Sequence, residues 1–110
     1  SEQQKTILLI EEDATLREIT RFRLELLGHE VISTSSGDDA LTWLSKDLPS
    51  AIVVGHFLPD MDGTELIDRL SNDMRTSEVP VMLLSPNAEL DDDPLMLESK
   101  LERLTGAGME

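Results

Sequence analysis

Short strand-like runs alternate with segments of helical apolar spacing along this chain, and this alternation limits the folds open to it. The runs cover Thr6–Ile10, Glu30–Thr34, Ala51–Val54 and 79–84. Unbroken apolarity over four or five residues, as in the first and third runs, is typical of a strand buried on both faces of a parallel sheet. The alternation predicts an α/β fold, a doubly wound parallel sheet with helices on both faces and right-handed crossovers.

The first helix is predicted between the first two strands. It begins at Asp13 or at Thr15, which has capping-box spacing with Glu18, and Gly28 ends it. A stripe of apolar residues at helical spacing defines its inward face. These residues are Leu16, Ile19, Phe22, Leu26 and Leu27.

Three further helices complete a βαβαβαβα order. They are predicted over 38–45, 64–70 and 94–105. Asp93 is the expected N-cap of the last helix and Gly106 its stop.

Length and charge restrict the class of protein. The 110 residues fit one domain, residues 1–110. The absence of cysteine and of a long apolar run suits a cytoplasmic protein and excludes thiolate chemistry. A formal net charge of −14 repels phosphates and anionic lipid, so we expect neither direct nucleic-acid binding nor membrane binding.

Functional residues of an open parallel sheet lie outside the carboxyl ends of its strands. In this sequence those ends carry the acidic turn Glu11, Glu12 and Asp13, together with residues 34–35, 55–56 and 85–86.

The loop 58–63, Leu-Pro-Asp-Met-Asp-Gly, and the acidic turn at the matching distance before it resemble the motifs of the receiver domains of bacterial response regulators. The resemblance runs over nearly the whole chain and implies a flavodoxin-like fold. It also implies a family chemistry, in which a histidine kinase phosphorylates an aspartate at the end of the third strand. A Mg²⁺ ion and a lysine neutralise the charge of the transferred group.

The resemblance assigns these roles to particular positions. The two acids that help to hold Mg²⁺ fall on Glu11 and Glu12, with Asp13 next, and the phospho-acceptor falls on Gly55, which has no nucleophile. The terminal hydroxyl of the fourth strand falls on Ser85. Pro86 follows it, where the family usually has a small residue.

No residue receives the role of the lysine, because the chain stops at Glu110 before a fifth strand and last helix. A bare sheet edge is a liability. We therefore expect the receiver-like domain to be C-terminally incomplete as given, or to end in a flexible tail.

Loss of the acceptor at Gly55 leads to one main interpretation. We expect a phosphorylation-independent receiver, not an enzyme, that requires no cofactor and acts by binding a protein partner, an effector domain or a second copy of itself. Two alternatives stay open. One is a Mg²⁺-dependent phospho-receiver whose acceptor is not at Gly55 or was replaced; the other is a sensor that binds a metal ion or small ligand at Glu11 and Glu12.

Two further hypotheses concern the acidic turn and His56. The acidic turn could hold a divalent cation, but we favour a solvated turn that also stabilises the N-terminus of the first helix. His56 could act as a base or phosphoryl acceptor, but we favour a loop residue beside a strand end.

Overall fold

The computed structural model of the protein describes residues 5–84, so the predicted helix over 94–105 and the predicted site residues Ser85 and Pro86 lie outside the described part. Seven elements follow one another within it. They are β1 (Thr6–Ile10), α1 (Ala14–Leu26), β2 (Glu30–Thr34), α2 (Gly37–Leu44), β3 (Ala51–Val54), α3 (Gly63–Ser71) and β4 (Val81–Leu83).

The four strands form one parallel sheet in the order β2-β1-β3-β4. Alternate residues of β1 point to opposite faces of this sheet. Leu8 and Ile10 join the apolar core beneath α2 and α3, whereas Ile7 and Leu9 pack with Leu24 of α1. Helices therefore cover both faces, which confirms the predicted doubly wound, flavodoxin-like sheet.

Helix α1 begins at the earlier of its two predicted positions. Asp13 is the N-cap, and its carboxylate accepts a hydrogen bond from the backbone N–H of Leu16 at 3.0 Å. Gly28, with a φ of 96°, ends the helix in the left-handed region that glycine adopts without strain.

The predicted inward stripe of α1 is partly wrong. Phe22 is 61% exposed and Leu26 65% exposed, whereas Thr20 and Leu24 are buried against the sheet. Residues two positions apart lie on nearly opposite sides of a helix, so Phe22 and Leu26 face away from the side of α1 that buries Leu24.

The bounds of β1, β2 and β3 are as predicted, whereas those of α2 and α3 differ by one residue from their predicted positions. Strand β4 is shorter than the predicted run over 79–84 and begins after Pro80, which has no N–H to donate to a sheet. Within the described residues, no helix has the length and apolarity needed to cross a membrane.

Candidate functional site

The carboxyl ends of β1 and β3 lie side by side at the centre of the sheet. Ile10 pairs with Val54, and the N–H of the next residue, Gly55, donates to the carbonyl of Ile10 at 2.7 Å. Glu11 follows Ile10 directly. The sheet order reverses direction between these two strands, and such a switch point leaves a crevice above the sheet.

Glu11 fills the space that a side chain at position 55 would need. A Cβ atom built on Gly55 would clash with Oε1 of Glu11 and would lie 3.0 Å from its Cδ. Glu11 is only 6% exposed. The position that the resemblance gives to the phospho-acceptor is therefore occupied by a carboxylate from the neighbouring strand.

Three hydrogen bonds hold the acidic turn in place. The backbone N–H of Asp13 donates to Oε2 of Glu11 at 2.8 Å. Arg17 directs its guanidinium to the main chain, and its Nη1 donates to the carbonyl of Glu11 at 2.8 Å and to that of Glu12 at 3.3 Å. The turn is thus fixed through its backbone, and Arg17 pairs with carbonyls instead of carboxylates.

Burial dominates the electrostatics of Glu11. Loss of hydration raises the pKa of its carboxyl, and the nearby charges of Asp13 and Glu12 raise it further. The hydrogen bond from the Asp13 N–H and the charge of Arg17 lower the pKa, but they do not offset burial. The ionised form of Glu11 is therefore disfavoured in the folded chain.

Replacing Glu11 with glutamine is expected to stabilise the fold near neutral pH. Because folding raises the pKa of Glu11 above its ordinary 4.5, the folded chain binds this proton more tightly than the unfolded chain. The contribution of Glu11 to stability therefore falls as pH rises through the folded pKa. Glutamine has the same shape and can still accept the Asp13 N–H, but it carries no charge.

The change in stability is measured by urea unfolding of Glu11→Gln and of the unchanged chain, from neutral pH to below 4.5. The gain of the variant should be full at neutral pH, should shrink as the pH falls through the raised pKa of the folded chain, and should be absent below 4.5. Glu78→Gln, at an exposed position, removes the same charge and should show no such gain. A Glu11→Gln chain that is less stable at neutral pH would contradict the argument.

An open crevice of about 220 Å³ lies above Glu11, and we call it the acidic crevice. Its described lining comprises Glu11, Glu12, Asp13, Leu16, His56, Phe57 and Leu84. The ring centroids of His56 and Phe57 are 6.0 Å apart, and Phe57 is 73% exposed. The crevice therefore combines carboxylates with apolar and aromatic walls.

The loop from β3 to α3 is tied to the N-terminus of α2. The carboxylate of Asp60 accepts hydrogen bonds from the backbone N–H groups of Gly37 at 2.9 Å and Asp38 at 2.8 Å. These two bonds lower the pKa of Asp60. This role of Asp60 was not predicted, because a contact across 23 residues of chain leaves no local pattern in the sequence.

The structure brings together Glu11, Glu12, Asp13, Gly55 and His56, all predicted to share one edge. The interpretation of the acidic turn as solvated is correct for Glu12 and Asp13, which are exposed, but wrong for Glu11. Asp13 caps α1, as that interpretation requires. Phe57, an exposed aromatic residue three positions after the end of β3, was not predicted as part of the site.

The described residues do not fit the Mg²⁺ site that the resemblance implies. Between residues 5 and 84, no three carboxylate or imidazole groups converge closely enough to hold a metal ion. Gly55 offers no ligand from its side chain, and Mg²⁺ requires near-octahedral oxygen ligands at short distance.

Comparison with known proteins gives a consistent family match. Residues 7–105 match the family described as response regulator receiver domain. The transcriptional regulatory protein AfsQ1 of Streptomyces coelicolor is 35% identical over 94 residues, which cover 86% of this chain and 40% of that protein. Three further curated relatives are matched over 36% of their length, so the chain spans well under half of these proteins.

Solved structures agree with the fold. The receiver domain of a signal transduction histidine kinase from Syntrophus aciditrophicus has a TM-score of 0.83 at 24% identity, covering 94% of this chain and 91% of that one. A sensor protein from Polaromonas has a TM-score of 0.83 at 27% identity, covering 93% of this chain and 96% of that one.

Proposed function

Because the chain belongs to the response regulator receiver domain family, we propose that it transmits a two-component signal by binding a protein partner and is not itself phosphorylated. The family match covers most of the chain and accounts for the fold. The proposed difference from the family's chemistry is that this receiver changes the activity of its partner without being phosphorylated.

The arrangement of Glu11 and Gly55 carries the proposal. Phosphoryl transfer to a receiver needs an oxygen nucleophile at the end of β3, and glycine supplies none. Glu11 reaches into the same space, but Oε2 accepts the Asp13 N–H and the whole residue is 6% exposed. A buried carboxylate held in this way is poorly placed to attack an incoming phosphorus in line.

Without phosphorylation, regulation depends on whether a partner is bound. A receiver of this kind has either one stable state or two states whose populations shift with the partner. The partner we propose is another signalling protein or an effector domain, as expected for a family in which relatives such as AfsQ1 are named transcriptional regulatory proteins.

Incubation with Mg²⁺ and an acyl phosphate is expected to leave the mass of the chain unchanged. Intact-mass spectrometry under acidic conditions, where acyl phosphates survive, is the measurement. A receiver domain that retains its aspartate is treated in parallel and should gain the mass of one phosphoryl group. A phosphoryl adduct on this chain, mapped to any carboxylate of the acidic crevice, would overturn the proposal.

A further inference from the structure

The outward face of α1 carries large apolar side chains that are open to solvent. Phe22 is 61% exposed and Leu26 is 65% exposed, and the half-buried Ile19 lies with them. The three side chains line an open groove of about 440 Å³ that is bordered by Glu18 and Arg23, and we call it the α1 groove. Apolar side chains grouped on one exposed face with a polar rim are typical of an interaction surface.

The residues of the α1 groove have the spacing of a coiled-coil seam. Thr15, Ile19, Phe22 and Leu26 follow one another at intervals of four, three and four residues, which are the d, a, d and a positions of a heptad repeat. Leu24, which α1 buries against the sheet, is rotated by about 200° from Phe22 around the helix axis. A second helix can therefore lie along the groove on the side of α1 that faces away from the sheet.

The charged rim of the α1 groove is complementary to itself. Glu18 takes a g position of the heptad and Arg23 the following e position, on opposite edges of the groove. In a parallel pair of helices, a g residue lies beside the next e residue of the partner helix. Two copies of α1 in this arrangement place an acid beside a base on both edges of the seam.

Net charge also favours a second copy of the chain at this face. Helix α1 carries three bases, Arg17, Arg21 and Arg23, against two acids, Glu18 and Glu25, so its net charge is +1. Helices α2 and α3 are both net acidic, and copies with a net charge of −14 repel one another over most of their surface. Among the described helices, α1 is the one at which two copies meet the least repulsion.

We propose that the chain forms a parallel, two-fold symmetric dimer in which α1 of one copy packs along α1 of the other. Ile19, Phe22 and Leu26 form the seam, and Glu18 of each copy pairs with Arg23 of the other. Arg21 of the same helix bonds to Oε1 of Glu18, which leaves Oε2 to accept from the other copy. The inference goes beyond the proposed function, because this contact does not depend on whether the chain is phosphorylated.

Sedimentation equilibrium of the chain over a range of concentrations measures the dimer. Helix α1 has 13 residues, fewer than two full heptads, so we expect a dissociation constant on the order of 100 micromolar. Phe22→Ala should weaken the dimer by at least about tenfold, because it removes the aromatic side chain of the seam. Met74→Ala is the control, since Met74 is 93% exposed and lies outside α1, and it should leave the dissociation constant unchanged.

Two charge variants test the pairing of Glu18 with Arg23. Glu18→Arg and Arg23→Glu each place like charges along both edges of the seam, so each variant alone should dimerise at least about fivefold more weakly. Mixed in equal amounts, the two variants regain opposite charges on both edges and should form a heterodimer about as tight as the unchanged dimer. A variant that has lost its fold gives no such rescue.

The parallel orientation is tested by disulfide formation, because the chain has no cysteine of its own. Thr15→Cys, at a d position of the seam, should cross-link two copies under mild oxidation, whereas Ser71→Cys, at the exposed end of α3, should not. Cross-linking of Thr15→Cys that is no faster than that of Ser71→Cys would contradict the parallel pair.

A chain that stays monomeric at concentrations on the order of millimolar would overturn the proposal. A dimer that Phe22→Ala leaves unchanged, or a mixture of the two charge variants without a heterodimer, would do the same. These results leave the phosphorylation experiment untouched, and a phosphoryl adduct there leaves the dimer untouched, so failure of the dimer and failure of the proposed function are distinguishable.

Discussion

Magnesium binding is expected to tighten by on the order of tenfold when Gly55 and Glu11 are both replaced by aspartate. Aspartate at position 55 supplies a carboxylate at the end of β3. Aspartate at position 11 is one methylene shorter than glutamate, so its carboxylate withdraws from the space that Oε1 of Glu11 fills beside Gly55. With Glu12 unchanged, carboxylates at positions 11, 12 and 55 then line the acidic crevice.

The single variants test whether the two positions depend on each other. In Gly55→Asp alone, the new Cβ would clash with Oε1 of Glu11, so Glu11 must rotate and lose its hydrogen bond from the Asp13 N–H. Glu11→Asp alone adds no carboxylate. Calorimetric Mg²⁺ titration of the four chains should therefore show a gain in the double variant that exceeds the sum of the single effects. Additive effects would mean that Glu11 does not obstruct position 55.

The strands were predictable because their signals are local. Ile7 to Ile10 and Ala51 to Val54 are unbroken apolar runs that only a sheet covered on both faces can bury. Their alternation with helices then implies parallel strands, and parallel strands place their carboxyl ends at one edge. The proximity of Glu11 and Gly55 follows from that topology.

The details that decide the chemistry of the site are not local. The sequence indicates that Gly55 lacks a nucleophile, but it does not indicate that Glu11 turns into the vacant space. That orientation depends on the Asp13 N–H and on Arg17, which together fix the turn. Similarly, Asp60 caps α2 only because the loop before α3 folds back towards it. Side-chain direction and loop path require the packed structure.

The exposed face of α1 shows a different limit. Helical spacing predicts Phe22 and Leu26 as core residues, yet both are exposed, while Thr20 and Leu24 are buried. A periodic pattern defines an apolar stripe but not the rotation of the helix on its sheet. That rotation is set by the side chains of the strands beneath it.

Replacing Gly63 with alanine is expected to lower the free energy of unfolding by about 3 kcal/mol. Gly63 is the first residue of α3, and its N–H donates to the carbonyl of His56 at 2.7 Å. A Cβ atom at position 63 would clash with the carbonyl oxygen of Gly55 and lie 3.2 Å from Cγ1 of Val54. Main chain at the end of a central strand cannot move aside without disturbing the sheet.

Gly37→Ala is the matched control, since Gly37 is the first residue of α2 and both replacements carry the same helix propensity. There the new Cβ would meet Sδ and Cε of Met61 at 2.6 Å, and the end of this flexible, half-buried side chain can rotate away. The cost should be about 1 kcal/mol or less, measured by urea unfolding of both variants. Equal losses of stability in the two variants would show that α3 does not pack tightly against the carbonyl of Gly55. Other contacts would then have to fix the geometry of the acidic crevice.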